Sequence, residues 1–407
     1  MTNIIIIGGG ASGLVCAIKA AKNNNNHITI LERNNECAKK ILATGNGRCN
    51  YFNEDFTIKH YLTNNKKTLE TIITKDNKDK VLTFFDSLGI VPKIKNGYYY
   101  PYSNQALTIK EALLNKIESY SNIEIKTNFY VNKIEKKNRK FIIHGNEKLE
   151  SDILVIATGS FASPKSGSDG NGYDLLKDFN FRIVNPLPAL TPLKANAPFL
   201  KEWQGVRCEA ELSHYEDEKL IRKELGEVQL TKNGISGICT FNISNRLIRG
   251  LTNHKEVIRI NFLPFLKNIS KYELLEWFNN RNSLLNNPLL KDNLNAILNN
   301  KVVNVIIDLL KITKDDTWNS LSSNKKEKLL KLLTEFELEI VGYQDYEYAQ
   351  STSGGISLEE VNIMTMESTY PNLYLLGEIL DVVGDCGGYN LGFAWLSGIL
   401  SGNKIGE

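Results

Sequence analysis

A short unbroken apolar run, Ile4 to Ile7, is followed at once by Gly8-Gly9-Gly10-Ala11-Ser12-Gly13 and then by the small and apolar stretch LVCAIKAAK. Four apolar residues bounded by glycine read as a strand buried on both faces, and the stretch behind them as a helix packed close on a sheet. His27 to Glu32 (HITILE) predicts the next strand, so the chain starts with a βαβ unit. Strand-like runs recur at IEIKTNFYVNKIEKK, KFIIHG and DILVIATG, while VLTFFDSLG and ALTIKEALLNKIESY carry helical spacing. The sheet is therefore expected to continue well past residue 100.

After Leu190 the texture changes. Pro186, Pro188, Pro192 and Pro198 crowd a stretch that no long helix or central strand would accommodate, which marks a boundary. From Val206 to Pro264, short alternating segments (VRCEAEL, EVQLT, EVIRINF) predict a small antiparallel β unit. Residues 270–335 space their apolar positions three and four apart, as helices do. TYPNLYLLGEILD then returns to a buried strand, and GGYNLGFAWLSGILSG to a glycine-led helix. The expected architecture is one α/β domain, residues 1–190 and 336–407, interrupted by an antiparallel β unit over 191–268 and a helical unit over 269–335.

Composition narrows the class. With 407 residues the chain exceeds what one core of about 250–300 residues organises. A content of 42% hydrophobic and 23% charged residues excludes a wholly disordered, collagen-like or coiled-coil protein. No apolar run approaches the ~18 residues of a membrane span, and the first one ends in glycine too soon for a signal-peptide core. The expectation is a cytoplasmic protein with no membrane partner. A formal net charge of +3 gives no average field that draws in a polyanion, although a local basic groove stays open. The six cysteines contain no CxxC pair, so they read as free thiols, and the five histidines stand apart without a ligand spacing for metal catalysis.

Gly8, Gly10 and Gly13 follow a strand and open a helix, and the acidic Glu32 closes the second strand, which turns a bare GxGxxG into a dinucleotide fingerprint. Gly8 permits the tight turn, Gly10 lets backbone N–H groups reach a pyrophosphate, and Gly13 lets the helix sit close to the strand. The helix start offers positive charge to phosphates, and the Glu32 carboxylate accepts from ribose hydroxyls while repelling a 2′-phosphate. That leaves FAD or NAD. Leu373–Leu376, Gly377-Glu378 and Asp385-Cys386-Gly387-Gly388-Tyr389-Asn390-Leu391 form a second strand–turn–helix that a nicotinamide dinucleotide does not need. A flavin does, because N–H groups at the start of the last helix stabilise negative charge on its reduced ring. The strand ending at Ala157-Thr158-Gly159 supplies a further crossover, so FAD is the expected resident cofactor. No second GxGxxG follows a later strand, and NAD(P)H is expected only as a transient reductant. The glycine-rich run Gly167 to Gly172 reads first as a structural turn.

The blocks GGGASGL (8–14), KKILATGNGRCN (39–50), YYPYSNQA (99–106), ATGSFASPKSGSDGNGYDLL (157–176), LPALTPL (187–193), GEVQLTKNGISG (226–237) and MESTYPNLYLLGEILDVVGDCGGYNLGFAWLSG (366–398) make the chain recognisable over nearly its whole length. It resembles the bacterial NAD(P)/FAD-dependent oxidoreductases of the aminoacetone-oxidase-like family, with members linked to bile-acid intermediate reduction and to dihydrouridine formation in large-subunit ribosomal RNA. The resemblance implies a Rossmann-like, two-dinucleotide-binding-type FAD domain with an inserted β unit and an inserted helical unit. The chain departs from the family pattern at Gly159-Ser160 and Ser163, which changes the contacts of that loop. It departs again at Lys232-Asn233-Gly234 and Ile238, which weakens a role for the inserted β unit in proton transfer. The expected cofactor set is Gly8, Gly10, Ala11, Ser12, Gly13, Glu32, Arg33, Lys40, Asn46, Gly47, Val131, Thr158, Gly159, Gly377, Glu378, Gly388, Tyr389, Asn390 and Leu391.

The loop after the second strand carries the catalytic candidates. Arg48 is suited to a phosphate or substrate oxyanion, Asn46 or Asn50 to orienting a carbonyl, and Cys49 beside an arginine to donating a proton from an acidified thiol. The alternative for Cys49 is a buried structural residue. Cys386 flanks the flavin-facing glycines and fits packing as well as redox chemistry. Tyr98, Tyr99, Tyr100 and Tyr102 read either as a stacking platform for a base or sterol or as the half-buried face of a strand. Segments 75–80 and 324–331 read as solvated helix faces or as contacts to RNA phosphates. The expected activity is NAD(P)H-driven reduction of an activated double bond through FAD. Uridine of ribosomal RNA is put first on the resemblance, and a small-molecule enone or amine second. A non-catalytic flavin-bearing RNA-binding or assembly protein is the alternative of another class.

Overall fold

The computed structural model describes residues 1–267 and 269–407, and the chain divides into two units: residues 1–189 with 346–407, and residues 190–345. In the first unit the isoleucine run lies in β1 (Thr2–Ile7), and α1 (Ala11–Ala20) and β2 (Asn26–Leu31) complete the βαβ unit. There follow α2 (Lys75–Ser87), α3 (Ala106–Glu118), β3 (Ile123–Lys126), β4 (Ile153–Ile156) and β5 (Ile183–Ala189). β1 pairs in parallel with β2 and β4, placing Ile6 opposite both Ile30 and Val155, and Ile4 to Ile7 are all buried. The stretch IEIKTNFYVNKIEKK is not one strand. β3 stops at Lys126 and Asn128 takes φ 53, a left-handed conformation that asparagine tolerates and that turns the chain out of the sheet. Lys133–Lys137 then pairs with Lys140–His144, and that strand with Lys148–Ser151, in a separate antiparallel sheet.

The second unit contains β6 (Leu193–Ala195), β7 (Arg207–Glu216), β8 (Lys219–Thr231), β9 (Gly234–Ser236), α4 (Ile238–Gly250) and β10 (Glu256–Asn261). Helices α5 (Lys271–Leu284), α6 (Leu290–Asn295), α7 (Asn300–Leu310) and α8 (Ser323–Thr334) follow, and β11 (Phe336–Tyr343) ends it. The strands close into a barrel in the order β6-β9-β8-β7-β10-β11. Its wall alternates as a barrel requires, with Ala210, Leu212 and His214 of β7 and Ile258 and Ile260 of β10 buried. Residues 336–345, expected in the closing part of the first domain, belong here instead. β11 pairs with both β6 and β10 and buries Phe336, Leu338 and Ile340 in alternation. A barrel has no edge, so this strand is needed for closure. α4 lies inside the span expected to be β only. The expected boundary between the β and helical units falls on Asn268, outside the described residues.

The chain returns to the first unit through β12 (Ser351–Ile356), antiparallel to β5, and β13 (Leu373–Leu375), parallel to β4. The sheet of β1 has seven strands, and β13, β4, β1, β2 and β3 are neighbours in it in that order. The last helix, α9 (Tyr389–Gly406), lies backbone to backbone on α1. A Cβ at Gly398 would stand 2.5 Å from the Ser12 carbonyl oxygen, and one at Gly402 would stand 2.5 Å from that of Cys16. The two helices therefore run in the same direction, with the first turn of α1 level with the middle of α9. No helix of the described residues is long and apolar enough to cross a membrane.

Candidate functional site

Beyond the C-terminal ends of β1 and β4, a cleft with ≈ 1320 Å³ of empty space, part of it open to solvent, runs along the starts of α1 and α9. Gly8 forms the turn out of β1 at φ 110, with its α-carbon against the Ala157 carbonyl, where no side chain fits. Gly13 lies behind the wall with its α-carbon against the Gly8 carbonyl, which is the close helix–strand approach expected of it. At Gly10, by contrast, a Cβ would meet nothing within 4 Å. Gly10 caps α1 with no side-chain hydrogen bond and no acidic residue in the first turn, so the helix start keeps its positive end for a ligand. Ala11 and Ser12 line the cleft beside it.

Glu32 is 7% exposed and lines the same wall. Its Oε2 accepts from the Gly9 N–H at 2.9 Å, and its Oε1 accepts from the backbone N–H and side-chain Nδ2 of Asn34, each at 2.8 Å. These donors fix the aim of the carboxylate while leaving lone pairs for hydroxyl groups. Arg33 also lines the cleft. It pairs with Asp169 at 2.6 Å and lies over the Tyr130 ring at 5.1 Å. The glycine-rich run is thus more than a turn: Gly167, Ser168, Asp169 and Asn171 form cleft wall, tied to Arg33 and to Asn34, whose Nδ2 donates to the Ser166 carbonyl at 3.0 Å.

Toward α9, Lys40, Val131, Thr158, Gly159, Glu378, Asn390 and Leu391 line the cleft. Lys40 Nζ donates to Glu378 Oε2 at 2.6 Å and to the Ala162 carbonyl at 3.1 Å, while Glu378 Oε1 accepts from Thr352 N at 2.8 Å. Asn390 Nδ2 and Oδ1 bridge the Gly384 carbonyl and N–H, both at 2.9 Å, which fixes the turn before α9. Three expected cofactor residues lie behind this surface. Gly377 is buried with its N–H on Ser397 Oγ at 3.1 Å, Gly388 presses on the Phe52 backbone, and Tyr389 is buried under His60, whose ring stacks on it at 4.3 Å. His60 was not anticipated. Its Nδ1 and Nε2 each lie 3.0 Å from a carboxylate oxygen, of Asp385 and Asp55 respectively, and only the fold brings these residues together.

The loop expected to be catalytic lies elsewhere. Asn46, Gly47 and Arg48 are exposed and do not line the cleft, although Thr44 does. Arg48 Nε donates to the Gly45 carbonyl at 3.2 Å and its guanidinium lies over Tyr100 at 5.6 Å. Cys49 is fully buried, and burial pushes its thiol up to about 12, the reverse of the acidified thiol expected from the neighbouring arginine. Asn50 is half-buried, outside the cleft. Cys386 is half-buried, its Sγ 3.9 Å from Gln350 Oε1. Among the tyrosines, Tyr99 is buried against Tyr51 while Tyr98 and Tyr100 are half-buried, so Tyr98–Pro101 is a strand with two faces, and Tyr102 is exposed beyond its end.

Two uncapped parallel helix starts, a buried acceptor at the end of β2 and open space at Gly10 fit a bound FAD. Comparison with known proteins agrees. A family profile described as "HI0933-like protein Rossmann domain" matches residues 2–404, and the chain belongs to that family. It is similar to the "3-dehydro-bile acid delta(4,6)-reductase" of Clostridium scindens, with 34% identity covering 100% of both chains. It is similar also to the "Ribosomal RNA dihydrouridine synthase" of Haemophilus influenzae, with 27% identity over 97% of this chain and 96% of the relative. Among solved structures, quinol fumarate reductase FrdA of E. coli shares the fold, with a TM-score of 0.51 and 14% identity over 99% of this chain and 69% of that one.

Proposed function

We propose that this FAD-dependent oxidoreductase reduces an activated carbon–carbon double bond of a small apolar molecule of the enone or dienone class, with NAD(P)H as its reductant. The observation that carries the reading is the convergence of two uncapped helix starts, those of α1 and α9, on one cleft. In that arrangement α1 and Glu32 bind the nucleotide half, and the N–H groups at the start of α9 stabilise negative charge at the other end. Lys40, held by Glu378, adds a fixed N–H donor group to the wall between them. Bound FAD would supply the hydride.

The order of the two substrate classes expected from sequence is reversed here. The relative matched over its full length at 34% identity is named for a small molecule, and those named for ribosomal RNA are less similar at 27%. RNA stays a second reading because Arg48, Tyr102, Lys93 and Lys95 are exposed beside Tyr100 on one hairpin region, a basic and aromatic surface suited to an unpaired strand. The non-catalytic alternative finds no support in relatives named as a reductase and as synthases. The test is anaerobic reduction of the purified flavoprotein with NADH or NADPH, then addition of a conjugated steroid dienone. Flavin reoxidation with saturation of one double bond, read by mass, is expected. Failure to turn over any enone, together with loss of dihydrouridine from ribosomal RNA when the gene is deleted, would replace this reading by the second.

A further inference from the structure

In the barrel of the second unit, His214 and Glu216 stand two positions apart on β7 and so share one face, and Glu256 of β10 lies directly opposite Glu216 in register. One potential ligand atom from each of the three lies within 4.8 Å of the other two. The side chains of His214 and Glu256 are wholly buried, with Nε2 against Oε2, and Glu216 is 18% exposed at the edge of the group. Opposed carboxylates on neighbouring strands repel each other. Arg246 of α4 answers only Glu216, from outside, at 3.3 Å.

A second observation concerns what the interior leaves over. Glu256 Oε1 and His214 Nδ1 are fully buried without a hydrogen-bond partner among the described residues. The α-carbon of Gly250, at the end of α4, abuts Glu256 Oε1 and lies near Glu216 Oε1, so both oxygens converge on one spot. Buried polar atoms without partners are costly, and natural interiors rarely hold two in one cluster. One imidazole and two carboxylates form a donor set for a divalent transition cation of the zinc type, whereas calcium and magnesium prefer all-oxygen sites.

We propose that His214, Glu216 and Glu256 bind one such cation, which replaces the proton between His214 and Glu256 and clamps β7 to β10, with water reaching it only on the Glu216 side. The site is separate from the cleft of the first unit and does not depend on the proposed reaction. His-x-Glu on a strand was its only trace in the sequence.

The test is equilibrium dialysis of the chelator-treated flavoprotein against micromolar Zn²⁺, with elemental analysis and thermal unfolding, in the wild type, Glu216→Gln, Glu256→Gln and His214→Ala. About one zinc per chain is expected in the wild type, with a raised unfolding temperature and at least ~10-fold weaker binding in Glu216→Gln. The far-UV circular dichroism of each variant reports folding. If the buried substitutions lower it, Glu216→Gln, the most exposed of the three positions, decides alone. The cysteines are common to all variants, so zinc held by thiols cancels in the comparison. Equal zinc affinity in wild type and Glu216→Gln, or no zinc bound by either, overturns the proposal.

Discussion

Gly398→Ala tests whether the backbone contact between α1 and α9 assembles the cleft. Two effects oppose each other. Replacing a mid-helix glycine by alanine favours the helix by about 1 kcal/mol through propensity. The new methyl, however, would stand 2.5 Å from the Ser12 carbonyl oxygen and 3.0 Å from the Val15 Cβ. Ordinary contact is about 3.5 Å, so the helices must part by roughly 1 Å, and overpacking of this kind costs about 1–3 kcal/mol. Both obstructing atoms belong to a second buried helix, so the clash wins and a net loss of about 1 kcal/mol is expected. For domains of this size, thermal unfolding followed by circular dichroism should fall by about 2–4 °C. Ser12 lies in the first turn of α1 and lines the cleft, so flavin content should fall as well. Asn403→Ala, on the exposed side of the same helix, isolates the propensity effect and should not destabilise. An unfolding temperature for Gly398→Ala equal to or above that of the wild type would refute the close-contact argument.

Glu32→Ala leaves the Gly9 N–H without its acceptor and opens the wall at the end of β2, so purified protein should carry much less flavin by absorbance; unchanged flavin content would remove Glu32 from the binding set. Cys49→Ala should keep its turnover with a true substrate and lose about 1–2 kcal/mol of stability from a small buried cavity, since its thiol holds its proton and lies off the cleft. At His60, burial lowers the pKa but hydrogen bonds to Asp385 and Asp55 outweigh it, for a net upward shift. The stability from this group is therefore fully present below its unfolded value near ~6.5 and is lost as pH rises through the higher folded value. Chemical denaturation of wild type and His60→Gln across that window should show a steeper decline with rising pH in the wild type, and identical profiles would deny the charged bridge.

The fingerprint was legible because local rules govern it: a strand, a turn that only glycine makes, and a helix start follow one another within a dozen positions. Glu32, at the end of the second strand, is fixed by the same unit. The loop from Ser166 to Asn171 was less legible, because its glycines announce a turn while its role comes from Arg33 and Asn34, far away in the chain. Cys49 misled for a related reason. Adjacency to Arg48 suggested an electrostatic effect, but the two side chains diverge, one into the core and one over Tyr100, and burial sets the thiol. His60 gave no sign at all, since its partner Asp385 is brought beside it by tertiary folding. β11 was assigned to the wrong unit although its alternation is plain, because alternation tells which face is buried and not which sheet it joins.

The split of the first unit into residues 1–189 and 346–407 sets an order for synthesis. The intervening barrel strands and helices leave the ribosome as one piece and have all their own pairing partners at that moment. β4, emerging earlier, must wait for β13 with its edge uncovered, and α1 must wait for α9. A nascent chain whose residue 345 has just left the ribosome would hold one finished lobe and one open, sticky sheet, the form on which chaperones and proteases act.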